Sequence, residues 1–161
     1  MTSISVIIKP SDDVMKTKMT PSTGKGYRFL DTVKIDEVKD DIESLDGISA
    51  SDQVLAWKGN PLPNTKSLRD CGILDGYELQ LVYVDSVFVR VHDPDANKPI
   101  SEFWMRPKDT VQKIKDNMYG AANAGNYFAN LNGSRLKETD TISPTIPSGS
   151  HIYMVSNVHG G

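Results

Sequence analysis

Ile35-Asp-Glu-Val-Lys-Asp-Asp-Ile42-Glu-Ser-Leu45-Asp-Gly47 is the stretch that decides the fold. Ile35, Val38, Ile42 and Leu45 fall at i, i+3, i+7 and i+10, which is one face of a helix. Asp36, Glu37, Lys39, Asp40, Asp41 and Glu43 fill the other positions. Asp46-Gly47 ends the pattern, with glycine where a left-handed cap is usual. The start is weakly marked, because Val33-Lys34 stands where Ser, Thr or Asp is expected.

Upstream, residues 3–8 are apolar and β-branched and suit a first strand. Residues 9–25 are polar and read as a long loop, with Met15 and Met19 as candidates for an extra strand inside it. The Thr23-Gly-Lys-Gly26 cluster lacks the spacing of a phosphate-binding loop. Tyr27-Arg-Phe29 supplies a second strand with both rings inward. Downstream, residues 53–57 form a short strand and Lys58-Gly-Asn60 a tight hairpin. Leu62 and Leu68 are isolated apolar anchors. Residues 70–76 form a turn system, and residues 77–84 close the unit as a strand.

The order then repeats. Residues 87–91 and 101–105 are strands, and Thr110 caps a helix carrying Val111, Ile114 and Met118 at i, i+3 and i+7. Residues 127–131 are a strand, Asn132-Gly133-Ser134 a hairpin, residues 144–149 a turn system and residues 150–155 the last strand. Val38-Lys39 aligns with Ile114-Lys115, Gly59 and Leu62 with Gly133 and Leu136, and Leu79 and Leu81 with Ile152 and Met154. The pattern predicts two tandem α+β units, 1–84 and 85–161, each a mixed sheet on one helix with its own core.

The chain has 161 residues and a net charge of -3, with its cations scattered. That argues against nucleic acid or an anionic membrane as the main partner. No apolar run approaches the roughly 18 residues of a membrane helix. The start reads as a strand rather than a signal peptide. One cysteine, Cys71, excludes an internal disulfide, suits a reducing compartment such as the cytoplasm, and reads as a small buried residue. His92, His151 and His159 show no metal-ligand spacing, and no nucleophile carries a catalytic signature, so neither an enzyme nor a cofactor is expected. Asp12-Asp13 and Asp40-Asp41 read as solvated charge.

Both units resemble ubiquitin. In the first the match runs from Ile35 to Val84 through Gly47-Ile48, Gln53, Leu55, Gly59, Leu62, Ser67-Leu-Arg-Asp70, Ile73 and Leu79-Gln-Leu-Val82. In the second it runs through Pro107, Asp109-Thr110, Lys115, Gly133, Leu136, Val155 and Gly160-Gly161. Tandem units with one final diglycine are similar to the interferon-stimulated two-domain modifier and to bacterial modifiers found with antiviral conjugation enzymes. The resemblance implies a β-grasp fold in each half and a role as conjugated protein rather than enzyme. An activating enzyme would adenylate the Gly161 carboxylate, a conjugating enzyme would pass it to a target lysine, and a protease would remove it. Gly160, His159, Val158 and Asn157 would fit the activating enzyme's channel. The chain is expected to be monomeric.

Departures from ubiquitin are informative. Its two tail arginines are Asn157 and His159 here, which implies a dedicated activating enzyme. Its apolar patch corresponds to Ala56, Gln80 and Val82 in one unit and to Asn130, Tyr153 and Val155 in the other. Tyr153 with Val155 remains a candidate docking face. Trp104 points away from its own core by alternation, and is expected to pack between the units or bind a partner. Its main chain-building lysines are Asn60 and Asp75, or Ser134 and Ser148, which favours single attachment. Lys39 and Lys115 match a structural helix lysine, with Asn64 and Glu138 opposite. Two rival readings are a non-covalent adaptor and a sulfur carrier that uses a C-terminal thiocarboxylate.

Overall fold

The computed structural model describes residues 2–19, 21 and 23–157, and the chain divides into two compact units, Met1–Val84 and Asp85–Gly161. The first carries β1 (Ser3–Pro10), a short helix α1 (Asp13–Lys16), β2 (Lys25–Leu30), α2 (Ile35–Asp46), β3 (Gln53–Trp57), β4 (Asn60–Pro61) and β5 (Glu78–Tyr83). The second carries β6 (Val87–His92), β7 (Ser101–Met105), α3 (Val111–Tyr119), β8 (Tyr127–Leu131), β9 (Ser134–Arg135) and β10 (Ser150–Ser156).

Each unit is a five-stranded mixed sheet on one helix, in the orders β2-β1-β5-β3-β4 and β7-β6-β10-β8-β9. The first and last strands of each unit lie side by side and parallel, and hairpins flank them. Parallel strands need a long crossover, and α2 or α3 lies within that connection. Both units therefore have the β-grasp arrangement.

Strand alternation sends Ile4, Val6, Ile8, Tyr27, Phe29, Leu55, Leu79 and Leu81 against Ile35, Val38 and Ile42 of α2. In the second unit Val87, Val89, Val91, Met105, Ala129, Ile152 and Met154 meet Val111 and Ile114 of α3. The two clusters are separate sets of residues.

Several ties recur in both units. The first amides of α2 donate to loop carbonyls, Ile35 to Lys66 at 2.9 Å and Asp36 to Asn64 at 3.2 Å. In α3, Val111 donates to Asp140 at 3.0 Å and Gln112 to Glu138 at 3.1 Å. These carbonyls satisfy the orphan donors of a helix start. They explain why α2 begins at Lys34 without a side-chain cap, and why Thr110, which does occupy the cap position, makes no capping bond with its hydroxyl. At the other end Gly47 adopts φ 74 and donates to Glu43 at 2.9 Å, a conformation that favours glycine.

Several expectations change. Residues 13–16 form a helix where an extra strand was the candidate, and Met15 and Met19 are both in the core. Their four-residue spacing is helical, and the Met19 amide donates to the Met15 carbonyl at 3.2 Å. Asp12 is buried rather than solvated. One carboxylate oxygen caps α1 by accepting from the Met15 amide at 2.8 Å, and the other accepts from the Tyr83 amide at 2.7 Å. Leu45 is 64% exposed, because it sits in the last turn of α2 at the edge of the buried stripe. Met118 is half-buried against its core, and Cys71 is half-buried with its thiol pKa pushed up by burial.

Candidate functional site

β10 sends Ile152 and Met154 into the core, which leaves His151, Tyr153 and Val155 on the opposite face of the sheet. Register places other side chains beside them. Phe88 of β6 pairs with Trp104 of β7, and Arg90 with Glu102. Across the parallel pairing Arg90 meets His151 and His92 meets Tyr153. On the far side Tyr153 faces Asn130 and Val155 faces Phe128, while Asn130 pairs with Arg135 of β9. Trp104, Tyr153, Val155 and Asn130, the four docking candidates, thus share one sheet face.

The face is aromatic and carries cations. Trp104 tilts against Phe88 at a centroid distance of 4.8 Å, and the Arg90 guanidinium lies 5.1 Å above the Phe88 ring. Arg90 also reaches Glu102 at 3.5 Å. The Arg135 guanidinium lies 4.5 Å from the Phe128 centroid. Tyr153 is 45% exposed and stacks on His92 at 4.4 Å. His92 Nε2 and His151 Nδ1 are 2.7 Å apart. Burial, and then the neighbouring His151, push the His92 pKa down. Trp104, Asn130 and Val155 are half-buried. Aromatic side chains and arginine are enriched at protein interfaces.

The sequence singles out the four candidates and not Phe88, Arg90, His92, His151, Phe128 and Arg135, which the fold places beside them. Alternation within each strand was the available signal for their side of the sheet. Their adjacency depends on cross-strand register, which comes from the fold.

At the end of β10 the Asn157 amide donates to the Asn126 carbonyl at 2.9 Å, and Asn157 Nδ2 donates to the Gly125 carbonyl at 3.3 Å. These bonds tie the approach to the tail to the turn at Ala124–Asn126. Val158, His159, Gly160 and Gly161 lie outside the described residues.

The corresponding face of the first unit differs. Ala56 and Val82 are buried, and Gln80 Oε1 accepts from the Gly59 amide at 3.0 Å. Two of the positions where ubiquitin carries a chain-building lysine are structural ties here. Asp75 accepts from the Ser5 amide at 2.6 Å, and Ser148 Oγ accepts from the Phe88 amide at 3.0 Å. The helix lysines bond as their partners dictate, Lys39 to Asn64 Oδ1 at 2.6 Å and Lys115 to Glu138 Oε1 at 3.0 Å. Burial pushes the Lys39 pKa down.

Among the described residues no group of three or more His, Cys, Asp or Glu could hold a metal ion. None of their helices is long and apolar enough to cross a membrane.

The Ubiquitin family model matches residues 15–83. Ubiquitin-like protein NEDD8-like protein 2 of Dictyostelium discoideum is 36% identical over 67 residues, covering 40% of this chain and 84% of that protein. Among solved structures, the UBL domain of Plasmodium falciparum Dsk2 is 21% identical, covers 51% of this chain and 99% of its own, and has a TM-score of 0.42. Caldiarchaeum subterraneum ubiquitin is 16% identical, covers 47% of this chain and 99% of its own, and has a TM-score of 0.41.

Proposed function

This chain belongs to the ubiquitin family, and we propose from that premise that it is a covalent protein modifier joined through Gly161 to lysines of target proteins. The observation that carries the reading is a family β-grasp chain whose last strand leads, through Asn157, into Val158-His-Gly-Gly161. Glycine has no Cβ and adopts backbone conformations that other residues avoid. Gly160-Gly161 therefore suits a narrow enzyme channel that has to reach a carboxylate.

The chemistry needs an activated acyl group. The Gly161 carboxylate attacks the α-phosphorus of ATP and releases pyrophosphate, giving an acyl adenylate. A cysteine thiolate of the activating enzyme displaces AMP to form a thioester, which passes to a conjugating enzyme. The target lysine amine then attacks the thioester carbonyl, forming an isopeptide bond and releasing the thiol. The modifier supplies no catalytic side chain and no cofactor to these steps. His159, Val158 and Asn157 are the tail contacts, and Tyr153, Val155, Asn130 and Trp104 form the docking face for the cognate enzymes. A protease that cleaves the isopeptide bond completes the cycle. With Asn60, Asp75, Ser134 and Ser148 standing where ubiquitin carries its main chain-building lysines, single attachment is favoured over polymers, and the chain acts as a monomer in this reading. A cytoplasmic setting and an antiviral context belong to the same proposal.

The test is a denaturing immunoblot of the tagged protein in its own cells, with and without Gly161. Heavier bands that vanish on deletion support conjugation. A single band at the free mass in both, under stress or infection as well, sinks it. The second reading, a non-covalent adaptor, is favoured by the exposed Tyr153 face, which needs no tail chemistry.

A further inference from the structure

The two imidazoles on the outer face of the second unit are absorbed by none of the steps above. We propose that His92 and His151 form a proton-operated latch that holds Tyr153 against the sheet and lets it go when both rings are charged.

An imidazole pair joined nitrogen to nitrogen needs one N–H and one lone pair. Neutral rings satisfy that, and so does a pair sharing one extra proton, where the bond becomes charge-assisted. A second extra proton removes the remaining lone pair. His92 Nε2 and His151 Nδ1, 2.7 Å apart, then both carry N–H groups and positive charge, and the contact cannot persist. The His92 ring is also the surface on which Tyr153 stacks, at 4.4 Å and an interplanar angle of 16°. Opening the pair moves the ring that orders the exposed aromatic of this face.

The surroundings do not offset the second charge. On β6 itself, Arg90 adds a cation whose partner is Glu102 of β7. Asp93 is buried and occupied by the Tyr119 hydroxyl at 2.7 Å and the Ala96 amide at 3.2 Å. Asp95 lies in the exposed turn that follows. From β8 the neutral Asn130 faces Tyr153, and beyond it Arg135 covers Phe128. His151 is the neighbouring charge that bears on His92, and it acts in the same direction as burial. Two coupled sites of this kind lose protons in two steps that belong to the pair. The latch stands without the modifier reading. Its effect on docking rests on that reading, and would weaken binding through Tyr153 in mildly acidic conditions.

The test is an NMR titration of the full chain from pH 8 to 4.5, following histidine Cε1–H and Tyr153 ring signals. The histidine signals are assigned from single His→Ala variants. The expected result is two linked steps separated by more than about one pH unit, with the Tyr153 ring shift following the lower step. In His151→Ala the lower step should vanish and His92 should titrate once, closer to the ordinary value. Independent titration of His92 and His151 at the values found in the single variants overturns the proposal. So does a Tyr153 ring that does not respond to the lower step. Because the response of the Tyr153 ring in the wild-type chain is read without either variant, a poorly folded variant leaves that outcome decisive, and because no enzyme is present, failure here is separate from failure of conjugation.

Discussion

The Lys115 ammonium donates to the Glu138 carboxylate across 3.0 Å, from a lysine side chain that is almost wholly buried on α3. The hydrogen bond from Lys115 is the largest cause of a Glu138 pKa held below the ordinary range. A depressed acid contributes stability that is present above its unfolded value, about 4.3, and that is lost as pH falls from there through the folded value. The second unit should therefore weaken below about pH 4.3, and Glu138→Gln should flatten that loss. Acid unfolding followed through Trp104 in a Trp57→Phe background reads the second unit alone. An unchanged acid profile in Glu138→Gln would remove this ion pair from the account.

The two helices should differ in their sensitivity to truncation. Ile42 is fully buried, so Ile42→Ala should destabilise the first unit by about 2–5 kcal/mol. Met118 is half-buried and fills less of its core, so Met118→Ala should cost the second unit about 1–2 kcal/mol, below the fully buried range. Denaturant titrations read through Trp57 and Trp104 separately report both. If either change melted both halves together, separate cores would be the wrong description.

Asp12 links two distant parts of the first unit. Asp12→Ala removes the acceptor of the buried Met15 amide and of the part-buried Tyr83 amide, so a loss of about 1–3 kcal/mol is expected for the first and less for the second. Asp12→Asn should keep part of the stability, since one amide oxygen still accepts. Equal losses for the two variants would mean that the cap and the Tyr83 tie do not carry the effect.

At high pH two tyrosines should limit stability. Tyr27 donates its hydroxyl to Asp46, and Tyr119 donates to Asp93 at 2.7 Å. Burial first, and the carboxylate second, push both pKa values up. A raised acid contributes stability that is complete below its unfolded value, about 10, and that is lost as pH rises above it. Tyr27→Phe and Tyr119→Phe should each reduce the alkaline loss of their own unit. Thermal melts between pH 8 and 11 decide it, and parallel curves for wild type and variants count against it.

Docking should centre on Tyr153. Truncating an aromatic anchor at an interface costs more than about 1 kcal/mol. Tyr153→Ala should therefore slow transfer from the activating to the conjugating enzyme by about fivefold or more while leaving the thermal melt unchanged. Full transfer rates in Tyr153→Ala, or in Tyr153→Ala with Trp104→Ala, would take the docking face away from this side of the sheet.

Much of this was legible from the chain. The three- and four-residue periods of Ile35–Val38–Ile42 and Val111–Ile114 announce α2 and α3. The Lys58-Gly59 and Asn132-Gly133 turns, all four residues at positive φ, announce the hairpins. Such signals are local. The short helix after β1 was missed although Asp12 is a local cap signal, because what stabilises so short a helix is the burial of Met15 and Met19 in a core that only the fold assembles. Thr110 was over-read for the same reason, because the carbonyls of Glu138 and Asp140 do the work assigned to its hydroxyl. Alternation showed which way Trp104 points. It could not show that His92 meets His151, because that requires β6 and β10 to lie parallel at one register.

β5 and β10 are each the last strand of their unit and each sit third in a five-stranded order, between a hairpin and the rest of the sheet. Neither sheet can close until that strand exists. During synthesis the first unit becomes complete once Tyr83 has emerged, while the second must wait for Ser156. At about 5–20 residues per second, that delay is roughly 4–15 s. Through that interval the pairing edge of β6 that β10 will fill stays open, while the first unit, of the same architecture, is already complete. The poor sequence similarity of β5 and β10, Glu78-Leu-Gln-Leu against His151-Ile-Tyr-Met, is then an advantage during birth. It disfavours the exchange in which one unit's last strand takes the central place of the other's, a failure that tandem units of one fold risk.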